Sequence, residues 1–257
     1  MRPKELNLRV RIRPIAFIAI LLVLWQIATV RSRTHLLPGP WETVGGVADL
    51  VREGVLLKYV TASLFRVTWG FVLAAVLAIP AGLTIGWYPR LEMALNPLIQ
   101  ILRPISPLAW IPIAILWFGV GDLAAIFLIF LSCFLPLLLT AINAVHRVPA
   151  MYVNAGRNFG LSPVNLVFRV LYPAVLPQLI TGLRITLGVA WIVVVAAEMI
   201  AVNSGLGFLI VDARNAGNRY DLVVAGMVLI GVIGLLLDQT MRTLERAKSM
   251  RWGYSED

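Results

Sequence analysis

Three charged residues stand where an otherwise apolar chain has little reason to keep them: Arg103, Arg184 and Glu198 each lie inside or beside a long greasy segment. A charge carried into a bilayer costs at least ~2.5–3.5 kcal/mol on insertion scales, so such residues face a bundle interior or water. Two cations so placed would draw an anion along a pathway. The same arginines would alternatively satisfy backbone carbonyls freed by nearby prolines, or pair with Glu198 or Asp238. Arg184 lies about 12 Å along its helix from Leu176 and about 21 Å short of Glu198, so a pair within that helix is excluded. A structural role for Glu198 against the outer loops is the expectation.

Other chemistry is missing from the residue inventory. The lysines are Lys4, Lys58 and Lys248, none follows a glycine-rich loop, and no G-x-x-x-x-G-K-[ST] occurs. The chain is therefore expected to bind no nucleotide by a P-loop. It has no H-E-x-x-H and no G-x-S-x-G, and two histidines with few acids leave little for general acid–base catalysis. His35 and His146 lie in different loops at no zinc spacing, so no metal is expected. Cys133, the sole cysteine, excludes an intrachain disulfide and reads as a small buried hydrophobe in "FLIFLSCFLP". An enzyme is not expected.

Hydropathy supplies the elements that must hold these residues. The 257-residue chain is 60% hydrophobic, with mean hydropathy +0.86, more apolar than a soluble domain. A membrane crossing takes about 20 apolar residues, and candidates fall at 14–30, 67–87, 97–118, 123–145, 176–202 and 222–241. The first is longer than a signal-peptide core and is followed by Arg31 and Arg33 instead of a cleavage site, so it reads as a retained span. The expectation is an all-α membrane protein of about six spans, 1–257 forming one membrane domain.

Basic residues orient it. Arg2, Lys4, Arg9, Arg11, Arg13, Arg90, Arg147, Arg157, Arg169, Arg242, Arg246, Lys248 and Arg251 fall on one side. Arg31, Arg33, Arg52, Lys58, Arg214 and Arg219 fall on the other, and Arg66, Arg103 and Arg184 in or beside spans. The bias puts both termini in the cytoplasm. It also disposes of nucleic acid as the reason for the formal charge of +9, since no single region carries it.

Four segments stand out. The third span holds Pro97, Pro104, Pro107 and Pro112. Proline removes a donor and kinks a helix, so this span is expected inside the bundle, as a broken helix beside a pathway with Trp110. In the outer loop, Val44, Val47, Leu50, Val51, Val55 and Leu56 recur at helical spacing, either as an amphipathic helix on the outer interface or as one packed on the bundle. Gly205 and Gly207, in a loop at 203–221, suggest a short re-entrant gate. The fourth segment, "NAGRNFGLSPVNLVFRVLYP", is polar and basic between greasy neighbours. Ala155, Phe159, Val164, Leu166, Val167 and Val170 offer an interrupted apolar face. Gly160 marks a stop, Ser162 an N-cap and Pro163 a first helical position. Helix, glycine turn, helix is more than a connection needs. It suits docking of another protein, or else a helix resting on the inner leaflet.

This stretch resembles the cytoplasmic coupling motif of ABC-importer permeases: E-A-A, three residues, Gly, nine residues, Ile-x-Leu-Pro. Asn154-Ala155-Gly156 stand at E-A-A, Gly160 at the glycine, Val170 at the isoleucine, Tyr172 at the leucine and Pro173 at the proline. Asn154, Gly156 and Tyr172 depart from the pattern, and Asn154 removes the family's charge. "ASLFRVTWGFVLAAVLAIPAGLTIGWYPRLEMALNPLIQILRPISPLAWIPIAILWFG" and "LPQLITGLRITLGVAWIVVVAAEMIAVNSGLGFLI" are similar to the subfamily for nitrate, sulfonates, taurine and bicarbonate, the likeness running from about Trp25 to Leu244.

The resemblance implies a type I importer permease in a bacterial inner membrane. It would work as a homodimer with two ATPase subunits, which bind the ATP and Mg, and an extracytoplasmic substrate-binding protein. It binds no cofactor itself. Its coupling residues would be Asn154, Ala155, Gly156, Arg157, Asn158, Gly160, Leu161, Ser162 and Pro173. The pathway candidates are Arg103, Pro104, Pro107, Trp110, Arg184 and Glu198. A small oxyanion is the expected cargo, with a thiamin precursor or other small heterocycle as the alternative. A secondary transporter or channel without an ATPase would need an ion-binding cluster or internal repeats, and a plain membrane anchor would not need a proline-broken span with arginines.

Overall fold

The computed structural model describes residues 3–31, 37–215 and 217–245, with residues 3–15 and Leu244 in backbone alone. Arg2, Arg33, His35, Arg246, Lys248 and Arg251, used above, lie outside the described residues. Every regular element among the described residues is helical: α1 (Pro3–Arg31), α2 (Pro40–Arg52), α3 (Val55–Trp87), α4 (Pro89–Leu102), a 3-10 turn (Pro107–Trp110), α5 (Ile111–Phe118), α6 (Asp122–His146), α7 (Ala150–Asn158), α8 (Pro163–Leu166), a π turn (Val167–Leu171), α9 (Tyr172–Ala201), α10 (Leu206–Asn215) and α11 (Tyr220–Glu245).

By length and hydropathy, α3, α6, the run Pro163–Ala201 and α11 can each cross a membrane, and α4 with the segment Pro107–Phe118, bent by 80°, passes the same test only when the two are taken together. The expected first span lies in α1, whose described apolar part, Ala16–Arg31, is shorter than a full crossing. The gap 88–96 between the second and third candidate spans is almost wholly helical, and Pro89 occupies a first helical position that needs no N–H. The supposed loop at 203–221 is largely α10.

The chain forms two compact units, one of Met1–Lys58 with Leu209–Leu229, the other of Tyr59–Phe208 with Ile230–Asp257. In the second, α6 packs along α9. One cluster joins Ile111, Ala114, Ala124, Leu128, Ala197 and Ala201, and another joins Ala141, Val145, Leu171, Val175 and Leu179. α3 buries small residues at helical spacing, Gly70, Ala74, Ala78 and Gly82, and exposes Phe65, Trp69, Val72, Leu73 and Val76. Small inside and large outside reverses the soluble arrangement and suits helices that approach closely while facing lipid.

In the first unit, Glu42 accepts the Gly39 N–H at 2.9 Å and Pro40 opens α2. The helix ends at Arg52, so Val55 and Leu56 belong to α3 and not to the expected stripe. Thr43, Gly46 and Leu50 are buried, while Trp41, Val44 and Val51 are exposed. Apolar residues thus lie on both faces, and the close-packed side goes to the smaller ones, with Gly46 against Asp221 and Leu222. Arg219 bonds Asp221 at 2.7 Å and Asp49 at 3.1 Å, and the Asp221 carboxylate raises the guanidinium pKa above its ordinary value.

Candidate functional site

The segment 150–173 is a helical hairpin whose turn follows from local chemistry. α7 ends at Asn158, and Gly160 takes φ +73°. The Leu161 N–H donates to Gly156 O at 3.1 Å and the Gly160 N–H to Arg157 O at 2.9 Å. This is a Schellman stop, in which a left-handed residue returns two N–H groups to the last carbonyls. Ser162 then caps α8, its Oγ accepting from the Asn165 N–H at 3.4 Å, with Pro163 first in the helix.

Gly156 sets how closely the two arms approach. A Cβ there would come within 3.0 Å of Leu166 Cδ1 and 3.2 Å of Val170 Cγ2. The apolar residues divide between two faces. Gly156 and Leu166 are buried, and Leu161, Val167 and Val170 half-buried, whereas Phe159 is 86% exposed and Val164, Phe168, Met151 and Tyr152 are also exposed. The single interrupted face expected from sequence is therefore two faces, an inner seam and an outer aromatic knob. Asn154, Ala155, Arg157 and Asn158 are exposed on α7, and Pro173 lies half-buried at the start of α9.

The hairpin's second arm does not stop at the membrane helix. Pro163–Ala201 is one helical run of 39 residues, interrupted only by the π turn, whose closing bond is Tyr172 N–H to Val167 O. A proline ring clashes with the carbonyl four residues back, and widening the turn immediately before Pro173 relieves that clash.

The intramembrane charges separate into three cases. Glu198 is fully buried and Arg66 is 1% exposed. The Arg66 Nη1 donates to Glu198 at 2.6 Å and to the Ser204 carbonyl at 2.8 Å, its Nε to Asp122 at 2.8 Å, and its Nη2 to the Ser204 hydroxyl. Ser63 Oγ and the Gly207 N–H each donate to Glu198 at 2.9 Å, and the Leu206 N–H donates to Ser63 Oγ at 2.9 Å. The residues between α9 and α10, together with the first turn of α10, are thereby fastened to α3, which is the structural role expected for Glu198. Arg184 donates to Asp238 at 2.7 Å and to Glu245 at 3.1 Å, one of the pairings expected from sequence, and Arg242 also reaches Asp238 at 2.9 Å. Arg103 closes α4, with its backbone N–H on Ile99 O at 2.9 Å. It is exposed and among the described residues its side chain bonds no carboxylate or carbonyl, the prolines' freed carbonyls included.

Of Arg103's neighbours, Pro104 is exposed, Pro107 half-buried, and Trp110 packs on the cluster around Leu128 and Ala197. The structure does not bring Arg103, Arg184 and Glu198 together. Sequence reasoning passed over Arg66, Ser63, Asp122 and Ser204. The available signal was Ser63 and Arg66 at a spacing of three, on one helical face, but the apolar window began at Val67, and the helix begins at Val55. Among the described residues no cluster of His, Cys, Asp and Glu is arranged to hold a metal.

Comparison with known proteins agrees with this geometry. The taurine transport system permease protein of Escherichia coli K12 is 36% identical over 242 residues, covering 90% of this chain and 86% of its own. The nitrate import permease protein of a Synechocystis species is 37% identical over 244 residues, covering 91% and 88%. An inward-facing structure of the MetNI methionine ABC transporter superposes with a TM-score of 0.67 at 21% identity, covering 75% of this chain and 95% of that one, so the fold is that of an ABC-importer permease. Residues 74–250, which include the bent span, the hairpin and the helix beyond it, match the model of the binding-protein-dependent transport system inner membrane component, and the chain belongs to that family.

Proposed function

We propose that this chain, paired with a second copy of itself, forms the translocation pathway for a small oxyanion and takes its drive through the hairpin 150–173. As a family member it is a multi-pass permease subunit that works with ATP-hydrolysing subunits and a substrate-binding protein. In this reading ATP and Mg sit on the partner subunits, the termini and hairpin face the cytoplasm, and the binding protein delivers from the other side. The oxyanion is favoured because the relatives are named for nitrate, an oxyanion, and taurine, a zwitterion that carries a sulfonate oxyanion group.

The observation that carries the coupling role is the knob. Phe159 stands 86% exposed beside a capped glycine turn, rigid enough to present it and joined to a 39-residue helix that would carry its movement into the membrane. Buried aromatic anchors dominate protein interfaces.

The test is reconstitution of the permease with its ATPase and binding protein in proteoliposomes, following uptake of nitrate, taurine and bicarbonate. Phe159→Asp removes no packing within the chain, so the permease still inserts. Loss of such an anchor, worth about 2 kcal/mol or more, is expected to cut co-purification of the ATPase and uptake by at least about tenfold. An intact complex that transports at the wild-type rate would remove the hairpin from the coupling path.

A further inference from the structure

We infer that Arg103 is the residue through which the pathway meets its anionic cargo, while Arg66 and Arg184 are fastenings of the fold. This rests on the proposed reading of the chain as an oxyanion importer. The argument is one of charge matching. An arginine at membrane depth is tolerated when it is paired or faces water. Arg66 is paired with Glu198 and Asp122, and Arg184 with Asp238 and Glu245. Each of these carboxylates is supplied by the chain itself, so neither cation needs a ligand to be neutral.

Arg103 has no such partner among the described residues, and its sequence neighbourhood offers none. It is the one charged residue between Glu92 and Asp122. Its position is also the point where the broken span turns by 80° between α4 and the segment Pro107–Phe118. There Pro104, Ile105 and Ser106 are exposed with it, and Ser106 Oγ accepts from the Leu108 N–H at 3.3 Å, leaving its own O–H to donate. A planar guanidinium with five donors, beside a hydroxyl, suits an oxyanion such as nitrate, bicarbonate or a sulfonate. A neutral heterocycle would not call for it.

The experiment uses the same reconstituted complex. Wild type is first assayed with nitrate, taurine and bicarbonate. If it imports none of them, the oxyanion reading fails, whatever the variants do. Given uptake of one anion, Arg103→Gln is expected to raise the half-saturating concentration or lower the rate by at least about tenfold, the worth of a lost charge-assisted bond. Arg103→Lys should retain more of both.

Arg103→Cys then separates charge from shape, since Cys133, this chain's only native thiol, is fully buried, and the wild-type complex treated with the same reagents is the reference. Labelling with the cationic ethylammonium methanethiosulfonate should restore uptake, and the anionic ethylsulfonate reagent should not. Equal uptake after both labels, or wild-type uptake by Arg103→Gln, overturns the inference. So does a pair of Gln and Lys variants that both fail to assemble with the ATPase, which would make Arg103 structural.

Discussion

Replacing Glu198 by Ala is the perturbation whose size the structure determines best. The carboxylate receives three donors, Arg66 at 2.6 Å, Ser63 at 2.9 Å and the Gly207 N–H at 2.9 Å. Its side chain is 0% exposed and that of Arg66 is 2% exposed. Removing one partner of a buried ion pair costs about 3–5 kcal/mol, because the other charge stays buried without compensation. Here Arg66 keeps Asp122 and Ser204, and the Asp122 side chain is 56% exposed to solvent or headgroups. The loss should therefore fall near the lower end, about 3 kcal/mol. For a chain of this size about 2–4 °C of melting temperature corresponds to each kcal/mol, so a fall of roughly 10 °C is expected.

The assay is thermal melting of the detergent-solubilised permease, followed by monodispersity on size exclusion at fixed heating time, since membrane proteins commonly unfold irreversibly. Two comparisons keep it specific. Glu92→Gln removes the charge from the half-exposed His146–Glu92 contact and should cost under about 1 kcal/mol. The double variant Arg66→Met, Glu198→Leu removes both charges together and should recover part of the loss, as apolar replacement of a buried pair commonly does. A Glu198→Ala shift no larger than that of Glu92→Gln, or strict additivity in the double variant, would refute the reasoning.

Gly160→Val forces a β-branched residue into a left-handed turn, costing about 1–2 kcal/mol locally, while Gly160→Asn tolerates that backbone. Since nothing lies within 4 Å of a Cβ there, clash does not enter, and uptake per ATP hydrolysed should fall for Val and hold for Asn. Equal coupling ratios would separate the turn's conformation from function. Arg184→Leu leaves Asp238 and Glu245 without their shared cation, and the expected readout is a lower melting temperature, partly recovered by adding Asp238→Asn. Loss of uptake at unchanged stability would instead put Arg184 on the anion pathway.

The hairpin was legible because its determinants are local. Gly160, Ser162 and Pro163 each act within a few residues, through a left-handed turn, a cap and a preset φ. The division of its apolar residues was not, since Phe159 and Leu166 are equally greasy and only the crossing at Gly156 decides which is buried. The spans were visible in hydropathy, but their ends were not. Pro89 and Val55 start helices well outside the apolar windows, because a helix continues past the membrane wherever its backbone bonds can be met. The role of Arg66 was hidden for a different reason. Its partners stand 56, 132 and 138 residues away, and its one local signal, Ser63 three residues before it, does not say what the pair reaches across the fold. α2 shows the limit of periodicity, since apolar residues on both faces leave the buried side to be chosen by neighbours.

The placement of the paired charges bears on how a push on the hairpin would be delivered. The run Pro163–Ala201 spans about 58 Å at 1.5 Å per residue. It has Leu166 in the hairpin seam at one end and Glu198 in the buried network at the other. A helix transmits displacement only as far as its ends are held. At the hairpin end the hold is the packing of Leu166 and Val170 against Gly156. At the far end it is the carboxylate of Glu198, tied to Ser63 and Arg66 on α3 and to the Gly207 N–H. Between them Arg184 ties the middle of the same helix to α11. The two arginines inside the spans that chain carboxylates neutralise, Arg66 and Arg184, thus fix this helix to its neighbours along its length. Among the described residues Arg103, at the bend between α4 and the segment Pro107–Phe118, reaches no carboxylate and bears none of that load, which in the proposed reading leaves it to a ligand.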